Sequence, residues 1–166
     1  SGVALVTETN VPHEYNVSYF GDGTDEAHMI YNFALPPLVL FTFYGGDATV
    51  LSRWADTLET PSPLSTYFNI LDTHDGIGLM GARGILSGDE IECILREAVK
   101  RGAYITYRMT DGTREEPYEI NATWWSAVNG DDGEGVPDLQ VKRYIASRSI
   151  ALVLKGVPGI YVHGAI

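Results

Sequence analysis

The chain has 166 residues, 45% of them hydrophobic, which suits one domain with a sizeable core and excludes a disordered segment. Its 11 basic and 22 acidic residues leave a net charge of −11 with no Lys/Arg cluster, which argues against nucleic acid as a partner and for solubility. The one cysteine, Cys93, excludes an intrachain disulfide and fits a reducing compartment, the cytoplasm, and no apolar run reaches membrane-spanning length.

In chain order, Val3–Thr7 reads as a short apolar strand ending at Glu8, followed by the polar, turn-rich stretch TNVPHEYNVSYFGDGTDE. Asn16-Val17-Ser18 and Asn121-Ala122-Thr123 match the glycosylation triplet, a pattern common by chance, and nothing resembles a signal peptide. His28–Ala34 is predicted as a second strand. Pro36-Pro37 opens a helix over Leu38–Tyr44 that Gly45-Gly46 ends, and Asp47 is placed to cap a further helix reaching Leu58. Thr66–Leu71 is a third strand and leads into LDTHDGIG. Ser87 and Glu90 form a capping box, and Ile91, Ile94, Leu95, Ala98 and Val99 behind it lie on one helical stripe closed by Gly102. A hairpin is expected next, from AYITYRMT through the turn Asp111-Gly112 and back toward Tyr118. The loop GDDGEGVPD, a helix over Leu139–Leu154 and a last strand in Gly159–Val162 complete the chain.

Strands alternating with helices argue for parallel βαβ units and an α/β fold. Parallel strands point the residues beyond their carboxyl ends into a common mouth. Glu8, the pair His74-Asp75 and His163 all occupy that position. Two carboxylates from different strands suit glycosidic chemistry, in which one carboxyl protonates the leaving oxygen and another stabilises or attacks the cationic sugar carbon. The aromatic residues Tyr15, Tyr19, Phe20, Tyr118, Trp124 and Trp125 offer faces for a sugar ring. Each feature also has a plainer explanation: a solvated glutamate, a hydrogen-bonded His-Asp turn, core aromatics. The four histidines have no metal-ligand spacing, and no Walker sequence, complete dinucleotide fingerprint or GxSxG elbow occurs, so no metal or cofactor is expected. Cys93 is placed mid-helix as a packing residue.

Three stretches carry a family resemblance: VTETNVPHEYNVSYFGDGTDEAHMIYNFALPPLVL, FNILDTHDGIGLMGARGIL and VPGIYVHG. They resemble the segments around strands five and six, seven and eight of sucrose-phosphorylase-like enzymes, in the α-amylase superfamily of retaining glycosidases. ETNVPH is similar to the glucosylglycerate and glucosylglycerol phosphorylase branch. The resemblance implies half of a (β/α)8 TIM barrel, strands five to eight, with a small hairpin insertion and residues 1–166 as a single partial catalytic domain. It implies Glu8 as general acid/base, Asp75 as the carboxylate that stabilises the transition state, and His74 as a ligand of the glucosyl ring. Tyr118 and Glu119 fall in a stretch similar to the mobile acceptor-site loop, which makes them candidates for acceptor or phosphate contacts. Thr73, where many amylases have Asn, fits the phosphorylase branch. An α-glucoside and phosphate are the implied substrates, with phosphate as co-substrate and no cofactor.

Family members carry their nucleophile, an Asp, at the end of strand four, and that motif has no counterpart in this sequence. A whole barrel needs about 250 residues. The expectation is therefore a chain inactive by itself. It would cover its open strand edges by homo-oligomerisation or by pairing with the missing half. The alternatives are a non-catalytic half-barrel scaffold, a sugar-binding remnant, or part of an α-glucosidase.

Overall fold

The computed structural model describes residues 2–110, 112–130 and 136–164. Asp111 of the expected hairpin turn and residues 131–135 of the expected loop lie outside them. Four strands form a parallel sheet in chain order: β1 (Val6–Thr7), β2 (Met29–Tyr31), β3 (Thr66–Asn69) and, last in the chain, β7 (Val157–Pro158). Their register pairs Val6 with Met29, Ile30 with Tyr67, and Phe68 with Val157. All four carboxyl ends thus open on the same edge.

The two faces of this sheet differ. Alternation along β2 and β3 turns Ile30, Tyr67 and Asn69 toward the helices, where each is at most 1% exposed. The other face carries Tyr31 and Phe68, in ring contact at 4.9 Å and only half-buried. This less buried face suits the inner wall of an open half barrel.

The helical layer is built around α2 (Leu35–Gly45). Its first six residues, Leu35 to Leu40, are all buried, so the helix has no polar face to give it an amphipathic stripe. Prolines 36 and 37 sit in its first turn, where the missing N–H costs nothing. The N-cap of α3 (Thr49–Ala55) is Ala48, not the predicted Asp47, which lies one residue earlier and accepts from the Thr49 N–H at 2.8 Å, and the helix stops short of Leu58. The capping box forms as the sequence predicts: Ser87 N–H donates to Glu90 at 2.7 Å and Ser87 Oγ accepts from Glu90 N–H, opening α4 (Gly88–Lys100). Of its predicted stripe, Val99 is exposed, because α4 meets α2 along a seam narrower than five positions.

Several elements were hidden in the sequence. His13–Ser18, predicted as loop, is the short helix α1, and within it Asn16 is 1% exposed and donates to the Tyr31 carbonyl at 2.7 Å. That burial removes Asn16 as a glycosylation acceptor. The hairpin β5 (Tyr104–Thr110) and β6 (Arg114–Asn121) is joined by β4 (Ile77–Gly78), giving an antiparallel sheet in the order β4-β6-β5. Tyr118–Asn121, which resembles a mobile loop in sequence, is therefore paired strand. Helix α5 (Trp124–Asn129) follows, capped by Thr123, and then α6 (Pro137–Val153). The last strand begins at Val157, two residues before the predicted Gly159, and Val162–Gly164 is a 3-10 turn.

Asn69 holds the end of α6 against the sheet. Its Oδ1 accepts from Asn32 Nδ2 at 2.9 Å, and its Nδ2 donates to the carbonyls of Leu154 and Lys155 at 3.4 and 3.2 Å. Asn69→Ala would orphan these buried groups, and we expect a loss of about 2 kcal/mol in a urea titration, since an unsatisfied buried polar group costs about 1–3 kcal/mol. A smaller loss than at the exposed cap Ser87→Ala, worth about 1 kcal/mol, would count against the role given to Asn69.

Candidate active site

Asp72, Thr73, His74 and Asp75 follow β3 at the carboxyl edge of the sheet and form one wall of a cleft of about 250 Å³. Asn121 and Trp124 also line it, and Tyr161, His163 and Gly164, after the neighbouring strand β7, form a second wall. His74 Nε2 lies 3.5 Å from Asp75 Oδ2, and the two side chains are 72% and 58% exposed. The Thr73 hydroxyl accepts from the Asp75 N–H at 3.1 Å, which shapes the turn that presents the pair. The pair is free to meet a ligand; burial does not consume it.

Period two along β6 places Glu119 and Asn121 on one face and Tyr118 and Ile120 on the other. Glu119 stands against Gly76, where an added Cβ would fall 3.0 Å from the Glu119 Cβ. Burial, joined by the negative charge of Asp75, raises the Glu119 carboxyl above its ordinary 4.5. Tyr118 turns away: the Arg108 guanidinium stacks over its ring at 5.1 Å, and it is not among the residues lining the cleft. Glu8 is exposed just beyond β1, and its charge, after burial, helps raise the Tyr31 phenol. Tyr31 in turn lines a small hollow that shares Asp72, Thr73 and Gly76 with the cleft. The fold thus brings His74 and Asp75 into the cleft, sets Glu119 behind Gly76 within reach of the Asp75 charge, and leaves Glu8, Tyr118 and Glu119 outside the cleft lining.

Two residues that the sequence did not single out shape the site. Asp72 is engaged by Arg148 of α6 through two bonds of 2.6 Å. An arginine on a helix between polar residues gives no sign of a partner 76 positions earlier. Asn10 accepts from the Met80 N–H at 3.2 Å and packs on Gly78, tying the segment after Glu8 to the one after Asp75. Among the described residues no cluster of three His, Cys, Asp or Glu could hold a metal, and no helix is long and apolar enough to cross a membrane.

A parallel sheet of four consecutive strands with helices on one face and carboxylates at its mouth is half of a (β/α)8 barrel. Comparison with known proteins agrees. The chain is similar to a solved sucrose 6F-phosphate phosphorylase from Thermoanaerobacter thermosaccharolyticum, with a TM-score of 0.77 and 26% identity over 98% of this chain and 30% of that one. It is 45% identical to the glucosylglycerate phosphorylase of Allomeiothermus silvanus over 97% of its length, and 42% identical to that of Escherichia coli over 99%. The sucrose phosphorylase of Streptococcus mutans is 32% identical over 99%. No family model matches. These matches make the chain a homologue of the glucosylglycerate and sucrose phosphorylases, in the α-amylase superfamily. The chain spans 29% of the length of the first two curated relatives and 31% of the third.

The raised Glu119 carboxyl has a consequence for stability. The folded protein keeps the Glu119 proton to a higher pH than the unfolded chain does, so stability falls as pH climbs through the range above 4.5. Glu119→Gln is expected to raise the melting temperature relative to wild type at neutral pH, and to leave a smaller difference below 4.5, where both states are protonated. Thermal melts at the two pH values check this, and an equal difference at both contradicts it.

Proposed function

We propose that residues 1–166 are a single partial catalytic domain of an α-glucoside phosphorylase, one that passes a glucosyl unit to phosphate by retaining double displacement. The observation that carries this reading is the exposed His74-Asp75 pair at the end of β3, in a chain matched over 97% of its length by a glucosylglycerate phosphorylase. Glucosylglycerate is accordingly the first substrate to try.

In the proposed reaction Glu8 donates its proton to the leaving oxygen as the glycosidic bond breaks. Asp75 and His74 hold the ring hydroxyls and stabilise the positive charge that develops at the anomeric carbon, so their contacts strengthen in the transition state. Glu119, next to Gly76 of the cleft, is the candidate for an acceptor or phosphate contact. Phosphate is a co-substrate, and the reaction needs no cofactor. Double displacement also needs a carboxylate nucleophile. The phosphorylases that this chain resembles carry it at the end of strand four, a motif with no counterpart here, so we assign the nucleophile to a segment outside these residues. The single free Cys93 supports a cytoplasmic setting.

The sheet edges support an assembly. Val3, Leu5 and Val6 on one side and Val157, Ile160 and Val162 on the other are 42–65% exposed. A second copy or the other half of a barrel would cover them. Sedimentation of the 166-residue protein is expected to show an oligomer, and a stable monomer would oppose self-association.

The 166-residue chain is expected to release no glucose 1-phosphate from glucosylglycerate and phosphate, and measurable phosphorolysis would overturn the assignment of the nucleophile. It should still bind 1-deoxynojirimycin, a cationic glucose mimic. Asp75→Asn should weaken that binding about tenfold or more, because a hydrogen bond to a charged group is worth about 1.5–3 kcal/mol. Calorimetry with equal affinity for both forms would remove Asp75 from the site.

A further inference from the structure

Arg148 is not among the residues lining the cleft, yet it touches both of its walls. On one side its Nη1 and Nη2 each donate to an Asp72 carboxylate oxygen at 2.6 Å. On the other, Nη2 donates to the Gly164 carbonyl at 3.3 Å, next to His163. Tyr144, one turn earlier on α6, accepts from Arg148 at 2.9 Å and donates its hydroxyl proton to the same Gly164 carbonyl. The two walls meet at this point: a Cβ on Gly164 would fall 2.0 Å from Asp72 Oδ2.

We propose that Arg148 is a positioning residue for the glucosyl cleft, fixing the distance between the wall that carries His74 and Asp75 and the wall that carries Tyr161 and His163. The inference rests on the sugar-binding reading given above.

Three observations support it. The pair is well shielded, with 12% of the Arg148 side chain and 8% of Asp72 exposed. A buried pair of this kind is weak evidence of added stability, since apolar residues of similar volume often serve as well or better. Its place beside the cleft therefore points to geometry as its use. Secondly, the contact needs a planar fork: two parallel bonds to one carboxylate and a third to a carbonyl and a phenol, which a lysine ammonium cannot reproduce. Thirdly, both oxygens of Asp72 accept from this fork, so the fork fixes the start of the segment Thr73, His74 and Asp75 that follows it. The Asp75 N–H bond to Thr73 transmits that placement.

Calorimetric titration with 1-deoxynojirimycin tests the proposal, at a temperature where circular dichroism shows every form folded. Arg148→Met is expected to weaken binding about tenfold, because small displacements of aligned groups carry large penalties. Arg148→Lys should recover part of the loss. Should Arg148→Met fail to fold with Asp72 left unpaired, the neutral pair Asp72→Asn with Arg148→Gln keeps a buried hydrogen bond and should show the same loss. A purely structural residue would lower the melting temperature and leave the affinity of the folded protein unchanged. If wild type binds, Asp75→Asn does not, and the Arg148 variants bind like wild type, the positioning role is overturned and the sugar site stands. If wild type itself does not bind, the sugar site falls and the positioning role with it.

Discussion

The side-chain amide of Asn69 is the contact on which the rest of the molecule depends. It is wholly buried, and it joins three places at once: Asn32 just after β2, β3 on which it sits, and the carbonyls of Leu154 and Lys155 just after α6. A parallel sheet has no tight turn to set its register, so register must come from side chains and packing. A buried amide with a donor and an acceptor supplies a directional constraint that apolar contact lacks. Directly beyond it, Gly156 approaches so closely that a Cβ would lie 2.7 Å from the Tyr67 carbonyl, and its φ of 137° is one that side chains rarely adopt. The start of β7, and so the position of His163, follows from these two residues.

The carboxylates along the open edge then take different chemical characters from their surroundings alone. Asp72 is locked by an arginine fork. Asp75 stays exposed beside a histidine. Glu119 is half-buried near the Asp75 charge and holds its proton more tightly than a free glutamate. Glu8 remains in solvent beside Tyr31. A site that grips a polar ring while charge develops on it needs this kind of differentiation among like groups.

The sequence reading recovered much of this. Patterns that depend on near neighbours held: the capping box at Ser87, the prolines at the head of α2, and the hairpin of β5 and β6. It placed His74 and Asp75 at a strand end, where they stand. It missed α1 because its six residues carry no apolar stripe of their own. It set the final strand two residues late, because GIYVHG is more strand-like than Val157-Pro158 and only Asn69 and the edge of β3 decide where pairing stops. It gave Tyr118–Asn121 as similar to a mobile loop, whereas the stretch continues the hairpin: β5 pairs with it as far as Asn121 and β4 flanks it on the other side.

By itself the sequence determined the class of fold, most of its longer elements and the chemical identity of the groups at the strand ends, since periodicity, caps and turns are properties of neighbouring residues. Only the tertiary structure decided which of those groups share a cleft. Tyr118 and Glu119 are adjacent in the chain, yet the pleat of β6 sends one under Arg108 and the other toward Asp75. Arg148 reaches Asp72 across 76 positions that no local pattern spans. Contacts of that kind exist only once the sheet, the helices and their register have been assembled, because their energy comes from groups that the unfolded chain holds far apart.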